Sequence, residues 1–230
     1  MPLYSKDLEL VKPELYAVRN LGSYPLRDLR AYFAVKRAFD FTASLTAIVL
    51  YLPFFLVIAI LIKLEDPKGP VLFKQVRIGK NGKPFWMYKF RSMISNAEEL
   101  IEDLLDQNEV KGAMFKMKDD PRVTRLGKFI RKTSIDELPQ LWNVLKGDMS
   151  LVGPRPSLPK EVAQYSTYDR QRLLVTPGCT GLWQVSGRNG LSFAEMVELD
   201  LMYIQRQSIA LDIRLILKTI WVMIVPKNAY

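Results

Sequence analysis

Residues 41–62 read FTASLTAIVLYLPFFLVIAILI, twenty-two positions without a charge. As a straight helix this stretch is about 33 Å long, enough to cross a bilayer core of roughly 30 Å. It is the only such segment in the sequence, and it starts too far from the first residue, with no small-residue cleavage site behind it, to read as a cleaved leader. Pro53 lies near its middle, where the missing N–H and the ring clash break or kink a helix. Lys36 and Arg37 precede the segment, and Lys63, Lys68, Lys74 and Arg77 follow it. The positive-inside rule assigns both flanks to the cytoplasmic face. One apolar segment meets that condition by entering and returning on the same side, as a helix-break-helix hairpin turning at Pro53. A kinked bitopic helix and a buried core helix of a soluble protein remain open from this stretch alone.

The chain around it has 230 residues, with 33 basic against 24 acidic side chains and a formal charge of +9. Such an excess points to an anionic partner: nucleic acid, anionic lipid or a phosphorylated substrate. There is no histidine and one cysteine, Cys179. That excludes a Ser-His-Asp triad, a Cys-His pair, a Cys/His zinc site and an intrachain disulfide. Chemistry is left to carboxylates, Lys, Arg, Tyr, hydroxyls and hard oxygen-bound cations such as magnesium.

Beyond the apolar segment, VLFKQVRIG and PFWMYKFRSM flank the turn Gly79-Lys80-Asn81-Gly82 and predict a cationic β-hairpin. Residues Asn96 to Val110 predict an acidic amphipathic helix, with Leu100, Ile101, Leu104 and Leu105 on one face and a solvated row of acids on the other. The stretch RKTSIDELPQLWNVL comes next among the informative ones. Ser134 with Glu137 three residues on fits a capping box, and Pro139 belongs in a first turn, which puts Asp136 and Glu137 at or near a helix N-terminus. Ordinary capping acids are one reading. The functional reading is that the helix end and Arg131 keep both carboxylates ionised, one as a nucleophile and the other as a magnesium ligand. Arg155 sits between two prolines in GPRP, a rigid mount suited to gripping phosphate, although a plain surface arginine fits too. The Gly-rich run VTPGCTGLWQVSGRNG carries Trp183, Gln184 and Arg188, and matches neither the P-loop nor the dinucleotide fingerprint. Asp200, within VELDLMYI, reads from its neighbours as a helix-surface charge. The last third is helical in period, and Trp221 with Lys218 suits a helix lying on a membrane or packed on the core.

Four blocks, KRAFDFTASLTAIVLYLP, YKFRSM, RKTSIDELPQLWNVLKGDMSLVGPRP and TPGCTGLWQVSGRN, occur in an order and spacing that resemble the bacterial sugar transferases called monotopic phosphoglycosyl transferases. The resemblance runs from Lys36 onward. It implies an α/β domain (α+β, helix-rich) facing the cytoplasm at the bacterial inner membrane, anchored by a re-entrant helix broken at Pro53. The matching division is an extension over 1–35, a membrane hairpin over 36–64 and a catalytic domain over 65–230. The implied reaction moves a hexose-1-phosphate from a UDP-sugar to undecaprenyl phosphate and releases UMP, a first membrane step in exopolysaccharide, O-antigen or glycoconjugate assembly. By the same resemblance Asp136 is the nucleophile that forms a covalent phosphosugar intermediate, Glu137 is associated with Mg²⁺, and Arg131, Lys89, Arg155 and Asp200 are active-site positions. Gln184 and Arg188 are added as substrate-binding residues. Membrane lipid is an expected partner and nucleic acid is not; a homodimer is left open.

Departures from the family pattern fall at two points. Leu52 precedes Pro53 where many members carry serine, and Thr176 stands where many carry Lys or Arg. The chain length is closer to the minimal form of the family. GLWQVSGR is more similar to members that transfer galactose- or glucose-1-phosphate than to those using N-acetylated diamino sugars. Two readings from other classes stand beside the enzyme: a membrane-anchored module that binds anionic glycolipid, and a non-catalytic scaffold. Neither explains the adjacent Asp136-Glu137 pair in cationic surroundings.

Overall fold

The computed structural model describes residues 30–97, 99–100, 104, 117, 120–186 and 191–224. The fold is mixed, with helices outnumbering strands. Helix α1 (Arg30–Glu65) contains the whole apolar segment. Strands β1 (Leu72–Ile78) and β2 (Pro84–Phe90) form an antiparallel hairpin. Asn81 and Gly82 turn it with φ of 56° and 73°, the left-handed region that Asn and Gly tolerate best. The predicted hairpin is therefore present, in the register Phe73↔Lys89, Gln75↔Met87, Arg77↔Phe85.

Short helices α2 (Arg125–Lys132) and α3 (Gln140–Lys146) come next, joined through a 3₁₀ turn at Ile135–Glu137. Strands β3 (Ser150–Val152) and β4 (Gly178–Thr180) make a short parallel pair. Between them lie α4 (Pro159–Val162) and a 3₁₀ stretch at Asp169–Leu174. Helices α5 (Leu182–Ser186), α6 (Phe193–Arg206) and α7 (Ile209–Ile224) complete the described chain. Of the acidic helix expected over 96–110, Asn96, Ala97, Glu99 and Leu100 are in turns, and nearly all the rest lies outside the described residues, as does Arg188.

The two ends of α1 pack on the same body. At its N-terminal end Arg37 donates from Nη1 and Nη2 to the carbonyls of Val144 and Leu145, both at 2.6 Å, in the last turn of α3. Asp40 accepts from Ser150 Oγ at 2.7 Å and from the Leu151 amide at 3.1 Å. Lys36 pairs with Asp212, at the start of α7, at 2.8 Å. At the other end Ile58 and Ile62 pack with Phe90 and Ile130. Glu65 accepts from the amides of Arg125 and Leu126, capping α2. Between these anchors Val49, Leu50, Tyr51, Leu52, Leu56 and Val57 are exposed. The break expected at Pro53 is not a loop, because helix is continuous from Arg30 to Glu65 with Pro53 inside it. One proline removes one hydrogen bond, that to the Val49 carbonyl, which leaves the helix free to continue with a kink.

On α7 a second apolar row, Ile213, Leu217, Ile220 and Trp221, is exposed, while Asp212 and Leu215 of the same helix are buried. Gly127 sets how closely α2 approaches the hairpin. A Cβ there would meet the Ser92 carbonyl oxygen at 2.0 Å, so only glycine lets α2 lie against the chain just past β2.

Candidate active site

The turn between α2 and α3 carries the two carboxylates. Ser134 sits at φ 57°, a left-handed conformation that costs a non-glycine residue about 1–2 kcal/mol, and its side chain makes no capping bond. The expected capping box is thus absent. Its acid is engaged elsewhere: Glu137 Oε1 accepts from Lys89 Nζ at 2.6 Å. The left-handed residue reverses the chain tightly after α2 and swings Ile135–Glu137 under the end of β2.

Asp136 and Glu137 meet different surroundings. Asp136 is buried, 8% exposed, whereas the Glu137 side chain remains 40% exposed. Burial pushes the Asp136 carboxyl up to about 6, against the pull of Lys89 and with a push from Glu137; Arg131 pulls it back in part. Burial also raises Glu137, but the charge and hydrogen bond of Lys89 outweigh it and hold that carboxyl below its ordinary range. The expected cause is therefore corrected: Lys89, and not the helix end and Arg131, holds Glu137 ionised, while burial leaves Asp136 ionised only narrowly at neutral pH. Arg131 is set by a hydrogen bond from its Nε to Ser92 Oγ at 2.8 Å, which the close approach at Gly127 makes geometrically available.

Beside this turn a cleft opens between the hairpin, the 3₁₀ turn and β4. It is lined by Lys89, Glu137, Arg155, Gln184, Arg77 and Cys179, among others. Sequence reasoning named the first four. It missed Arg77, counted there only as a basic flank. The signal was available: alternation along the hairpin places 73, 75 and 77 on one face with 85, 87 and 89, so Arg77 shares a face with Lys89. Arg77 is buried, donates to the Pro156 carbonyl at 3.1 Å and to Gln75 Oε1 at 2.7 Å, and its Nε has no partner. Burial, with the like charge of Arg155, pushes it down to about 10. Cys179 is neutral at physiological pH, since burial raises its thiol far above the usual range.

Not every expected residue meets there: Asp136 and Arg131 do not line the cleft, and Asp136 is tied to it through the adjacent Glu137 and the charge of Lys89. Asp200 is 1% exposed, is not a surface charge and does not line the cleft; it pairs with Arg172 at 2.6 Å. Thr176 lines a separate crevice between the N-terminal end of α1 and β3, together with Lys36, Arg37 and Asp40. No group of three or more acidic, Cys or His side chains forms a metal cage among the described residues.

Three cations and one partly exposed acid line the cleft, with a shielded acid on the neighbouring residue, a set of groups able to take an anionic phosphorylated ligand. The comparisons with known proteins agree with that class. Residues 31–226 match the family described as bacterial sugar transferase, and the chain belongs to it. It is 48% identical over 200 residues to the galactosyl transferase CpsE of Streptococcus agalactiae, across 86% of this chain and 44% of that protein. It is 40% identical over 235 residues to the undecaprenyl-phosphate galactose phosphotransferase of Salmonella typhimurium, across 100% of this chain and 48% of that protein. It is 41% identical over 199 residues to the exopolysaccharide production protein ExoY of Rhizobium meliloti, across 85% of this chain and 88% of that protein. The chain therefore spans about half the length of the first two and most of the third.

Proposed function

We propose that this protein transfers a hexose-1-phosphate from a UDP-sugar to undecaprenyl phosphate, releasing UMP, in the assembly of a bacterial surface polysaccharide. The observation that carries the reading is the buried Asp136 carboxylate next to a cleft where Lys89, Arg77 and Arg155 gather positive charge. An oxygen of Asp136 attacks the β-phosphorus of the donor. The bond from that phosphorus to the bridging oxygen breaks, UMP leaves with the electron pair, and an aspartyl phosphosugar remains. A phosphate oxygen of the polyprenyl acceptor then attacks the same phosphorus and returns the Asp136 carboxylate. Splitting the displacement this way means that two anions, donor and acceptor, never have to meet directly. Lys89 and Arg155 offset charge that spreads over the non-bridging oxygens, and Lys89, with a smaller pull from Arg131, keeps Asp136 available as an anion against its burial.

Magnesium fits the donor set. A cation that binds through one or two carboxylates plus substrate phosphates needs no cage, and Glu137, partly exposed and ionised, would hold one. When bound, it would supply charge neutralisation at the diphosphate. Galactose is the sugar in the names of the relatives from Streptococcus and Salmonella, and glucose is the alternative that the GLWQVSGR stretch suggests. A re-entrant seating of α1, with the catalytic body on the cytoplasmic side of the inner membrane, is supported by the two docked ends and the exposed apolar middle of that helix.

The test is UMP release by the purified protein in detergent with magnesium, over a panel of UDP-sugars, with and without undecaprenyl phosphate. Wild type is expected to release UMP with one donor, and Asp136→Asn to lose at least ~10³-fold of that rate together with the covalent adduct. Adduct retained in Asp136→Asn overturns the nucleophile. A folded wild type that turns over no donor turns the reading toward a glycolipid-binding module or scaffold.

A further inference from the structure

Asp200 lies outside the cleft, yet it is tied to the cleft by an unbroken chain of buried polar groups. Arg172 donates from Nε and Nη2 to Asp200 Oδ2 at 2.7 and 2.6 Å. The same guanidinium donates from Nη1 to Tyr165 OH at 2.9 Å. Tyr165 OH and Ser157 Oγ share a hydrogen bond at 2.6 Å. All four residues are buried. The aromatic rings of Tyr165 and Phe193 flank the Arg172 guanidinium at 5.7 and 5.8 Å, so its position is restricted from the sides as well.

The chain reaches the loop at Ser157, with only Pro156 between it and Arg155. The 154–157 segment is held at other points too: Pro154 O accepts from the Gly178 amide at 2.8 Å, Pro156 O from Arg77, and Ser157 O from the Ile78 amide at 2.9 Å. Gly153, Pro154, Pro156 and Ser157 are buried, and Arg155 alone among them is exposed. A buried charge such as Asp200, whose Oδ1 has no partner, is costly to keep. Holding a single exposed guanidinium at a fixed place over a charged ligand is a use for that cost.

We infer that Asp200 is a positioning residue: through Arg172, Tyr165 and Ser157 it fixes the 154–157 loop so that Arg155 meets the diphosphate of the donor. Its ligand rests on the function proposed above; its mechanics do not. Tyr165→Phe removes one hydroxyl, keeps the ring and cuts the chain at its centre. Calorimetric affinity for UDP is expected to fall ~10-fold in Tyr165→Phe, about the worth of one charge-assisted hydrogen bond, and by a similar factor in Arg155→Ala. The double variant is expected to match Arg155→Ala alone, because a loop without its guanidinium has nothing left to position. Independent, multiplying losses would show that Tyr165 acts elsewhere and overturn the inference. Asp200→Asn, which preserves shape, is expected to show the same non-additivity with Arg155→Ala. A readout that needs no ligand accompanies these: the Ile78 amide, bonded to Ser157 O, should exchange its hydrogen faster in Tyr165→Phe, and unchanged protection also overturns the inference. If wild type does not bind UDP at all, the functional reading falls, and the exchange result still decides whether the chain holds the loop.

Discussion

Asp136 and Glu137 are joined by one peptide bond and differ in what surrounds them. In the proposed reaction that difference is what assigns the attack on phosphorus to Asp136 and not to Glu137. Glu137 is charge-paired with Lys89 at 2.6 Å and partly exposed, which suits it to share a cation, whereas Asp136 is buried and its carboxyl is pushed up by that burial. Poor solvation also weighs on stability. The folded Asp136 carboxyl titrates near 6, above its ordinary 3.8, so the native state prefers it protonated and loses stability as pH rises from about 4 through 6. Asp136→Asn mimics the protonated form. In metal-free buffer at pH 7.5 the variant is expected to be more stable than wild type by up to about 3 kcal/mol. The advantage should vanish below pH ~4, where both folded and unfolded wild type carry the proton. Melting temperatures across that range in detergent measure it; equal temperatures at pH 7.5 would mean that Asp136 carries no such strain.

At the scale of elements, what was legible followed from periodicity and turn chemistry. The β1–β2 hairpin came from alternation around Gly79-Lys80-Asn81-Gly82, and α1 from uninterrupted apolarity. The parallel pair β3–β4 was not legible: three residues in each strand are too few for a period, and their pairing joins positions far apart in the chain, Ser150↔Gly178 and Val152↔Thr180. The capping box was a local inference that a tertiary contact, Lys89 to Glu137, displaced. Asp200 looked like a surface acid because its partner, Arg172, is distant in sequence. The long apolar helix shows both kinds of information at once. Its apolar run is local, but its attachment depends on Asp40, which no pattern singles out. Asp40→Ala would leave Ser150 Oγ and the Leu151 amide short of an acceptor. Each stranded buried donor costs about 1–3 kcal/mol, so a clear fall in melting temperature in detergent is expected. Leu50→Ala, at a side chain 71% exposed, is expected to change stability by less than ~0.5 kcal/mol. The reverse order would mean that the exposed middle of the helix, and not its ends, holds it to the body.

Across the whole molecule, the two ends of α1 and the candidate cleft belong to one assembly, and that constrains how a bilayer can meet it. A helix that crosses the membrane must separate its ends by the bilayer thickness, and the end on the far side could not then touch a body on the near side. Here Arg37 and Asp40 bind the end of α3 and the start of β3, while Ile62 and Glu65 bind β2 and α2. The basic flanks, Lys36 and Arg37 before the apolar run and Lys63 and Lys68 after it, belong on one face by the positive-inside rule. Contact geometry and flanking charge therefore both support the same-side placement proposed for α1. In that placement Pro53 and its exposed apolar neighbours are inserted and both docked ends stay with the body. Single cysteines at Arg30→Cys and Lys68→Cys, each in a Cys179→Ser background, test this in sealed vesicles with a membrane-impermeant thiol reagent. Both are expected to label in inverted vesicles and neither in right-side-out ones. Labelling of the two positions from opposite faces would establish a spanning helix, and would require one of the two docked ends to leave the body when the protein enters a membrane.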